Sequence, residues 1–295
     1  MKLALGTVQF GLPYGVANTT GQPRDDEVRC ILQAAQATGA QVLDTAYLYG
    51  ESEATLGRCL PPDHRFHIVT KTPKFPGMDG NAAVQLLESA FSVSCDRLRM
   101  KKLYGLLMHD AGDLLGPAGD ALWKAMRRLR AVGRVTRIGA SVYSGAQIDA
   151  LLHRYPIDLI QLPLSLLDQR LVQGGQLDRL AAANVEVHAR SALLQGALLM
   201  PVDQLPQHLA GLRPFVARVA ERAAMHGISS LQAALRFVAG LPQVAAVVCG
   251  VDSRGHFGEL VEVLRSPHPA LPAQEAAACA CTDAALIDPS RWRSA

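Results

Sequence analysis

The sequence predicts an α/β fold, a closed (β/α)8 TIM barrel of parallel strands with an extra helix before the last strand and a short C-terminal extension. Three observations carry this expectation. Of 295 residues, 49% are hydrophobic and 19% charged, a balance that sustains a large core and excludes a disordered chain. Short aliphatic or β-branched runs alternate with longer amphipathic segments, the pattern of β/α units around a parallel sheet. The strand candidates number about eight, as such a barrel requires. No linker, internal repeat or low-complexity stretch interrupts them, so a single barrel domain over 1–295 is expected.

The first strand is placed at 3–8 and the first helix at 25–38, where Asp25 and Asp26 put acid in the first turn and Gly39 follows the end. A strand at 42–45 precedes a helix at 51–59, and a strand at 67–71 precedes one at 81–98. The run 103–109 is the fourth strand, followed by a helix at 118–132 that Gly133 stops. On that helix Lys124, Arg127, Arg128 and Arg130 interleave with Trp123, Met126 and Leu129 at helical spacing, which reads as a solvated face. Strands at 136–141, 159–162 and 185–189 alternate with helices at 146–154 and 177–183. The stretch 190–227 is longer than one β/α loop needs, and its second half, 215–226, has helical periodicity ahead of a helix at 231–239. The last strand is placed at 245–249 and the last barrel helix at 253–265. The tail opens Ser266-Pro267-His268-Pro269, contains an Ala-rich helix candidate, and is expected to lie across the outside of the barrel.

Charge and cysteine usage narrow the function classes. The 29 basic and 26 acidic residues give a formal net charge of +3 with no long basic block, which argues against nucleic acid as a partner. Cys30, Cys59, Cys95, Cys249, Cys279 and Cys281 form no CxxC pair or zinc-type array, so no metal site is expected. The first ten residues lack a signal-type apolar run, and no apolar stretch approaches the roughly 18 residues of a membrane span. A cytoplasmic, reduced protein without a membrane partner is the resulting expectation. No apolar stripe marks a partner interface, and the sequence does not fix the oligomeric state.

The chemistry-bearing residues fall at strand ends. Asp44, nearby Tyr49, Lys71 and His109 lie at or just beyond the C-terminal ends of the second, third and fourth strands, the face on which barrel active sites are built. A tyrosine titrates near about 10, so one that exchanges a proton near neutrality benefits from an adjacent cation, which Lys71 can supply. Asp44 can hold that lysine charged, and His109 can donate to a carbonyl oxygen or share the tyrosine's proton. Together the four suit carbonyl reduction. Tyr47 and Lys74 are the competing residues, disfavoured by spacing and strand position, and His188 beside Arg190 reads as structural.

These residues resemble the aldo-keto reductase superfamily from Gly6 to about Leu264. Asp44-Thr45-Ala46-Tyr47-Leu48-Tyr49-Gly50-Glu51-Ser52-Glu53, followed by Leu56-Gly57, is similar to its DTAxxYGxSExxLG element, which carries the catalytic Asp and Tyr. Val69-Thr70-Lys71 and Leu106-Leu107-Met108-His109 resemble its lysine- and histidine-bearing strands. The run 133–141, ending Ile138-Gly139-Ala140-Ser141, resembles a GKVRxIGxS segment. The resemblance implies that Ser141 and Gln161 fix a nicotinamide ring, on which Arg190, next to Ser191, stacks in place of the usual aromatic. It implies cofactor contacts from Gly6 and Thr7, and from Gly250, Val251, Asp252, Ser253, Arg254 and His256, similar to the phosphate-binding loop entering the last helix. Against the family pattern, Val142 follows Ser141 where Asn is usual. Gly250 stands where many members carry a basic residue, His256 where Arg or Gln is frequent, and Leu260 where Asn is usual.

The opening Gly6-Thr7-Val8-Gln9-Phe10-Gly11, continuing to Tyr14-Gly15 and Asn18, resembles a bacterial subgroup, some of it associated with sugar and surface-polysaccharide metabolism. Gln9 and Tyr14, with Asn18, offer hydrogen bonds to a substrate, and the 5% aromatic content leaves few rings for an aromatic pocket. The expected activity is reversible NAD(P)H-dependent reduction of a polar aldehyde or ketone, possible sugars included, with Tyr49 as general acid/base. NADP(H) is favoured by family habit and NAD(H) stays open. Two alternatives stand beside it: a nicotinamide-binding regulatory or sensor barrel with little turnover, and a Schiff-base aldolase using Lys71.

Overall fold

The strands alternate apolar side chains between two faces and are buried on both, as parallel strands under a helical layer must be. The computed structural model describes residues 2–292; positions 1 and 293–295 of the expected domain lie outside the described residues. Eight strands close in sequence order, each parallel to the next: β1 (Leu3–Gly6), β2 (Val42–Asp44), β3 (His67–Lys71), β4 (Leu103–Met108), β5 (Val135–Ser141), β6 (Leu159–Pro163), β7 (Glu186–Arg190) and β8 (Ala246–Gly250). The helices are α1 (Asp25–Thr38), α2 (Ser52–Cys59), α3 (Gly80–Leu98), α4 (Ala111–Leu115), α5 (Gly119–Ala131), α6 (Gly145–Arg154), α7 (Arg170–Gln173), α8 (Gln176–Ala182), α9 (Arg213–Met225), α10 (Ser230–Gly240), α11 (Arg254–Arg265), α12 (Ala273–Ala278) and α13 (Ala284–Ile287).

The predicted strands all form; the second and fourth end one residue early and the first two residues early. The run expected at 3–8 leaves the sheet at Gly6, because the Phe10 amide bonds the Thr7 carbonyl at 2.9 Å and folds Val8–Phe10 into a 3-10 turn that buries Phe10. Helix ends follow local chemistry: Gly39 closes α1 at φ 79°, and Ser144 with Gln147 makes a reciprocal cap on α6. Inside the barrel Val69, Leu107 and Leu159 pack together, and Gly105 is small because a Cβ there would stand 3.0 Å from Leu159 and from Val69. The register sets the strand ends side by side: Gly6 pairs with Asp44 and with Gly250, Ser141 with Gln161, and Pro163 with Arg190.

The extra helix before the last strand is α9, preceded by three 3-10 turns between Leu194 and Leu212. A second core joins these elements to the tail through Leu166, Leu167, Leu209, Val216, Cys279 and Ile287. The tail does more than cross the outside of the barrel. Cys281 N–H bonds the Leu167 carbonyl at 2.8 Å and Gln169 Nε2 bonds the Ala276 carbonyl at 2.7 Å, which carries Pro289 and Ser290 to the rim of the cavity at the strands' C-terminal ends. Burying Leu271, Ala276 and Ile287 explains the difference. Among the described residues no helix is long and apolar enough to cross a membrane.

Candidate active site

Asp44 and Lys71 end β2 and β3, His109 follows β4, and Tyr49 sits in the turn after β2. Lys71 is 1% exposed, and its Nζ donates to Asp44 Oδ1 at 2.9 Å, to Asp44 Oδ2 at 2.8 Å and to the Thr45 carbonyl at 2.9 Å. Tyr49 OH lies 3.4 Å from the same Nζ, and the Tyr49 ring meets His109 edge to face with centroids 5.8 Å apart. The four residues expected to converge are therefore together. Tyr47 lies instead under the Arg97 guanidinium at 4.9 Å, and His188 is buried against Glu186 Oε1 at 2.8 Å, off the cavity.

Burial raises the Tyr49 pKa and outweighs the neighbouring Lys71 cation, which acts in the opposite direction. The phenol is held protonated, with the Lys71 cation expected from the sequence acting against burial. For Lys71 burial opposes the charge, but Asp44 and Tyr49 together outweigh it and raise the pKa. Burial, followed by the Lys71 charge, pushes His109 down to about 4, so its imidazole is neutral near neutral pH. Its Nδ1 is buried without a partner among the described residues.

These groups form one end of a cavity of about 780 Å³, toward the large end of the roughly 300–1,000 Å³ typical of ligand sites. Gly6, Thr7, Ser141 and Gln161 line it, as do Arg190, Ser191, Gly250, Val251, Asp252 and His256. Gly6 and Gly250 present bare backbone side by side, and a Cβ on Gly6 would stand 3.2 Å from Gly250 N. That cradle, open along strand ends toward the N-terminus of α11, fits an elongated phosphate-bearing cofactor such as a nicotinamide dinucleotide. Two of the expected contacts lie outside the lining: Ser253 caps α11 through its Oγ to His256 N–H at 3.2 Å, and the Arg254 side chain is exposed.

A family model for the Aldo/keto reductase family matches residues 2–280. The chain belongs to the aldo/keto reductase family. No curated protein matches it. Among solved structures, aldo-keto reductase AKR11C1 from Bacillus halodurans in its holo form is 22% identical, with a TM-score of 0.78 over 98% of this chain and 95% of that one. The glycerol dehydrogenase AKR11B4 from Gluconobacter oxydans is 23% identical, with a TM-score of 0.73 over 98% of this chain and 92% of that one. This aldo/keto reductase is thus an oxidoreductase of the carbonyl-reducing type on a (β/α)8 barrel.

Several contacts of this aldo/keto reductase differ from the sequence expectation. Gln161 Nε2 donates to Asp44 Oδ1 at 2.7 Å, completing the carboxylate's shell. Arg190 stacks on Tyr143 at 4.2 Å and its Nη2 donates to the Val142 carbonyl at 3.0 Å. The Gln9 amide fills the space a side chain at Gly250 would take, which moves Gln9 toward the cofactor cradle. Tyr14 stays at the mouth, bonded to Gln195 Nε2 at 2.9 Å, and burial first, then nearby Tyr49, pushes its phenol up to about 12. Sequence reasoning missed Tyr143, Gln195, Glu259 and Ser290 in the lining. Tyr143, two residues past the fifth strand, was within reach of the strand-end rule. Gln195 and Ser290 come from the long insertion and the tail, which no local pattern aims at the cavity.

Proposed function

We propose that this aldo/keto reductase reduces a polar aldehyde or ketone to the alcohol, reversibly, with a nicotinamide dinucleotide as hydride source and Tyr49 as proton donor. The observation that carries it is Lys71, bound on one side by Asp44 and facing Tyr49 OH at 3.4 Å on the other, at the floor of the cavity. Gly6, Thr7, Ser141, Gln161, Arg190 and Gly250 are the residues that would hold the cofactor, which when bound supplies the hydride to the carbonyl carbon. NADP(H) is the form the resemblance favours and NAD(H) the other; the proton path is the same for both.

The protonated Tyr49 delivers its proton to the carbonyl oxygen, and the charged Lys71 stabilises the phenolate left behind. Asp44 is a positioning residue, since its carboxylate fixes Nζ from two sides. Neutral His109 donates from Nε2 to the same carbonyl oxygen, adding a hydrogen bond where negative charge develops. Tyr14, Gln195 and Tyr143 give the mouth hydrogen-bonding groups suited to a hydroxylated substrate.

The test is Tyr49→Phe, with cofactor affinity followed by fluorescence titration and turnover by cofactor oxidation against a panel of sugar and aromatic aldehydes. Turnover is expected to fall about 10²- to 10⁴-fold with affinity nearly intact. An unchanged kcat would sink the assignment. The sensor reading draws on Val142, which is fully buried with its carbonyl held by Arg190 and offers no polar side chain beside Ser141; binding without oxidation across the whole panel would favour it. The aldolase reading is weakened by the raised Lys71 pKa, because a Schiff base forms from the neutral amine.

A further inference from the structure

We infer that this protein prefers the unphosphorylated dinucleotide, NAD(H), because one of its own carboxylates, Glu27, already occupies the anion position at the N-terminus of α11. The inference rests on the reading of the cavity as a nicotinamide-dinucleotide site. The cavity runs from Tyr49 and Lys71 to Asp252, His256 and Glu259 on the loop and first turns of α11. A dinucleotide whose nicotinamide end lay at Tyr49 would reach that helix with its adenosine end.

A helix N-terminus attracts phosphate because its first amides lack intrahelical partners. Here they are largely taken. Arg254 N–H donates to Glu27 Oε1 at 2.5 Å, a contact from α1 across 227 residues of sequence, and His256 N–H is capped by Ser253 Oγ at 3.2 Å. Glu27 is half-buried, so its charge is held beside α11 by packing and by this bond.

The basic side chains that could offset a further anion are engaged or distant. His256 Nδ1 is paired with Asp252 Oδ1, and Asp252 Oδ2 accepts from Thr20 Oγ1 at 3.2 Å. Lys71 and Arg190 belong to the other end of the cavity, bound to Asp44 and to the Val142 carbonyl. Gly250 carries no side chain, and Gln9 fills the space beside it. Arg254 is exposed and lies outside the lining.

A 2′-phosphate of about −1.5 to −2 charge arriving here meets the carboxylates of Asp252 and Glu259, which line the cavity, with that of Glu27 just outside the lining against the Arg254 amide. An unmodified ribose instead brings hydroxyl donors, which carboxylates accept, as in dinucleotide folds where an acidic residue binds the 2′-OH. Glu259, which lines the cavity, is the carboxylate placed for that role.

The experiment is calorimetric titration of the intact protein with NADH and NADPH, repeated with ADP and 2′,5′-ADP, which probe the adenosine end independently of the nicotinamide. NADH and ADP are expected to bind at least about 10-fold tighter than their 2′-phosphorylated counterparts, since like-charge juxtaposition costs several kcal/mol. In Glu27→Gln/Asp252→Asn, checked for an unchanged thermal midpoint, the ratio should narrow at least about 5-fold through tighter NADPH binding. Tighter NADPH than NADH in the native protein overturns the inference, as does an unchanged ratio in the double variant. NADPH binding that vanishes in Arg254→Ala also overturns it, because that arginine would then read the phosphate. Failure of all four ligands to bind overturns the cofactor reading itself, and this inference with it.

Discussion

Gly11 lies backbone to backbone against Tyr49: a methyl group on its Cα would overlap the Tyr49 carbonyl oxygen and the Ser52 amide. On the facing side Gly50 adopts φ +54°, and its Cα turns toward the Gly11 carbonyl. The turn after β1 is thereby a template for the turn that aims Tyr49 at Lys71. Thr55 Oγ1 ties the two together through the Phe10 carbonyl at 3.2 Å.

Gly11→Ala must push these turns apart. It is expected to cost about 1–3 kcal/mol of stability, as overpacking does. A larger fractional loss should appear in kcat than in cofactor affinity, because the displaced group is the proton donor. Urea denaturation together with steady-state kinetics checks both parts, and an alanine variant with native kcat would show that the turn does not position Tyr49.

The Asp44–Lys71 pair is buried on both sides, with 4% and 1% of the side chains exposed. Removing one member leaves the other charged without a partner, which costs about 3–5 kcal/mol. Asp44→Asn and Lys71→Met should each destabilise by about that amount, and the double variant by less than their sum. Denaturant midpoints for the three variants give the coupling directly. Additive losses would mean that the two charges are compensated by other groups.

The barrel was legible because parallel strands buried on both faces write continuous aliphatic runs, and because Gly39 and Gly133 mark helix ends with positive φ. The convergence of Asp44, Tyr49, Lys71 and His109 followed from strand-end placement together with the motifs that carry the family resemblance. Their partners did not. Gln161 reaching Asp44, and Arg190 turning onto Tyr143 and Val142, are choices among side-chain directions that depend on neighbouring strands rather than on local sequence. Glu27 was invisible for a stronger reason, since its contact with Arg254 joins the first and last barrel helices only when the barrel closes. The tail misled because its Ala-rich segment shows that it packs but not where; the Cys281 amide bonding the Leu167 carbonyl and the Ala276 carbonyl accepting from the Gln169 side chain decide that.

His109 should leave a signature in the pH dependence of stability. Its folded pKa is pushed down to about 4 from the ordinary value of 6.5, first by burial and then by Lys71. Between those values the unfolded chain binds a proton that the folded protein excludes, so stability falls as pH drops from 6.5 toward 4 and the loss from this group ends below that. The depression also places neutral imidazole at the site across the neutral range, as a hydrogen-bond donor to a carbonyl requires. His109→Gln keeps an amide donor but cannot titrate. The stability difference between native protein and His109→Gln, measured by urea unfolding at several pH values with all other titrating groups in common, is therefore expected to be constant above about pH 7 and to move steadily in the variant's favour toward pH 4. A difference independent of pH would mean that the imidazole titrates equally in both states, and the neutral-donor role assigned to it would lose its electrostatic basis.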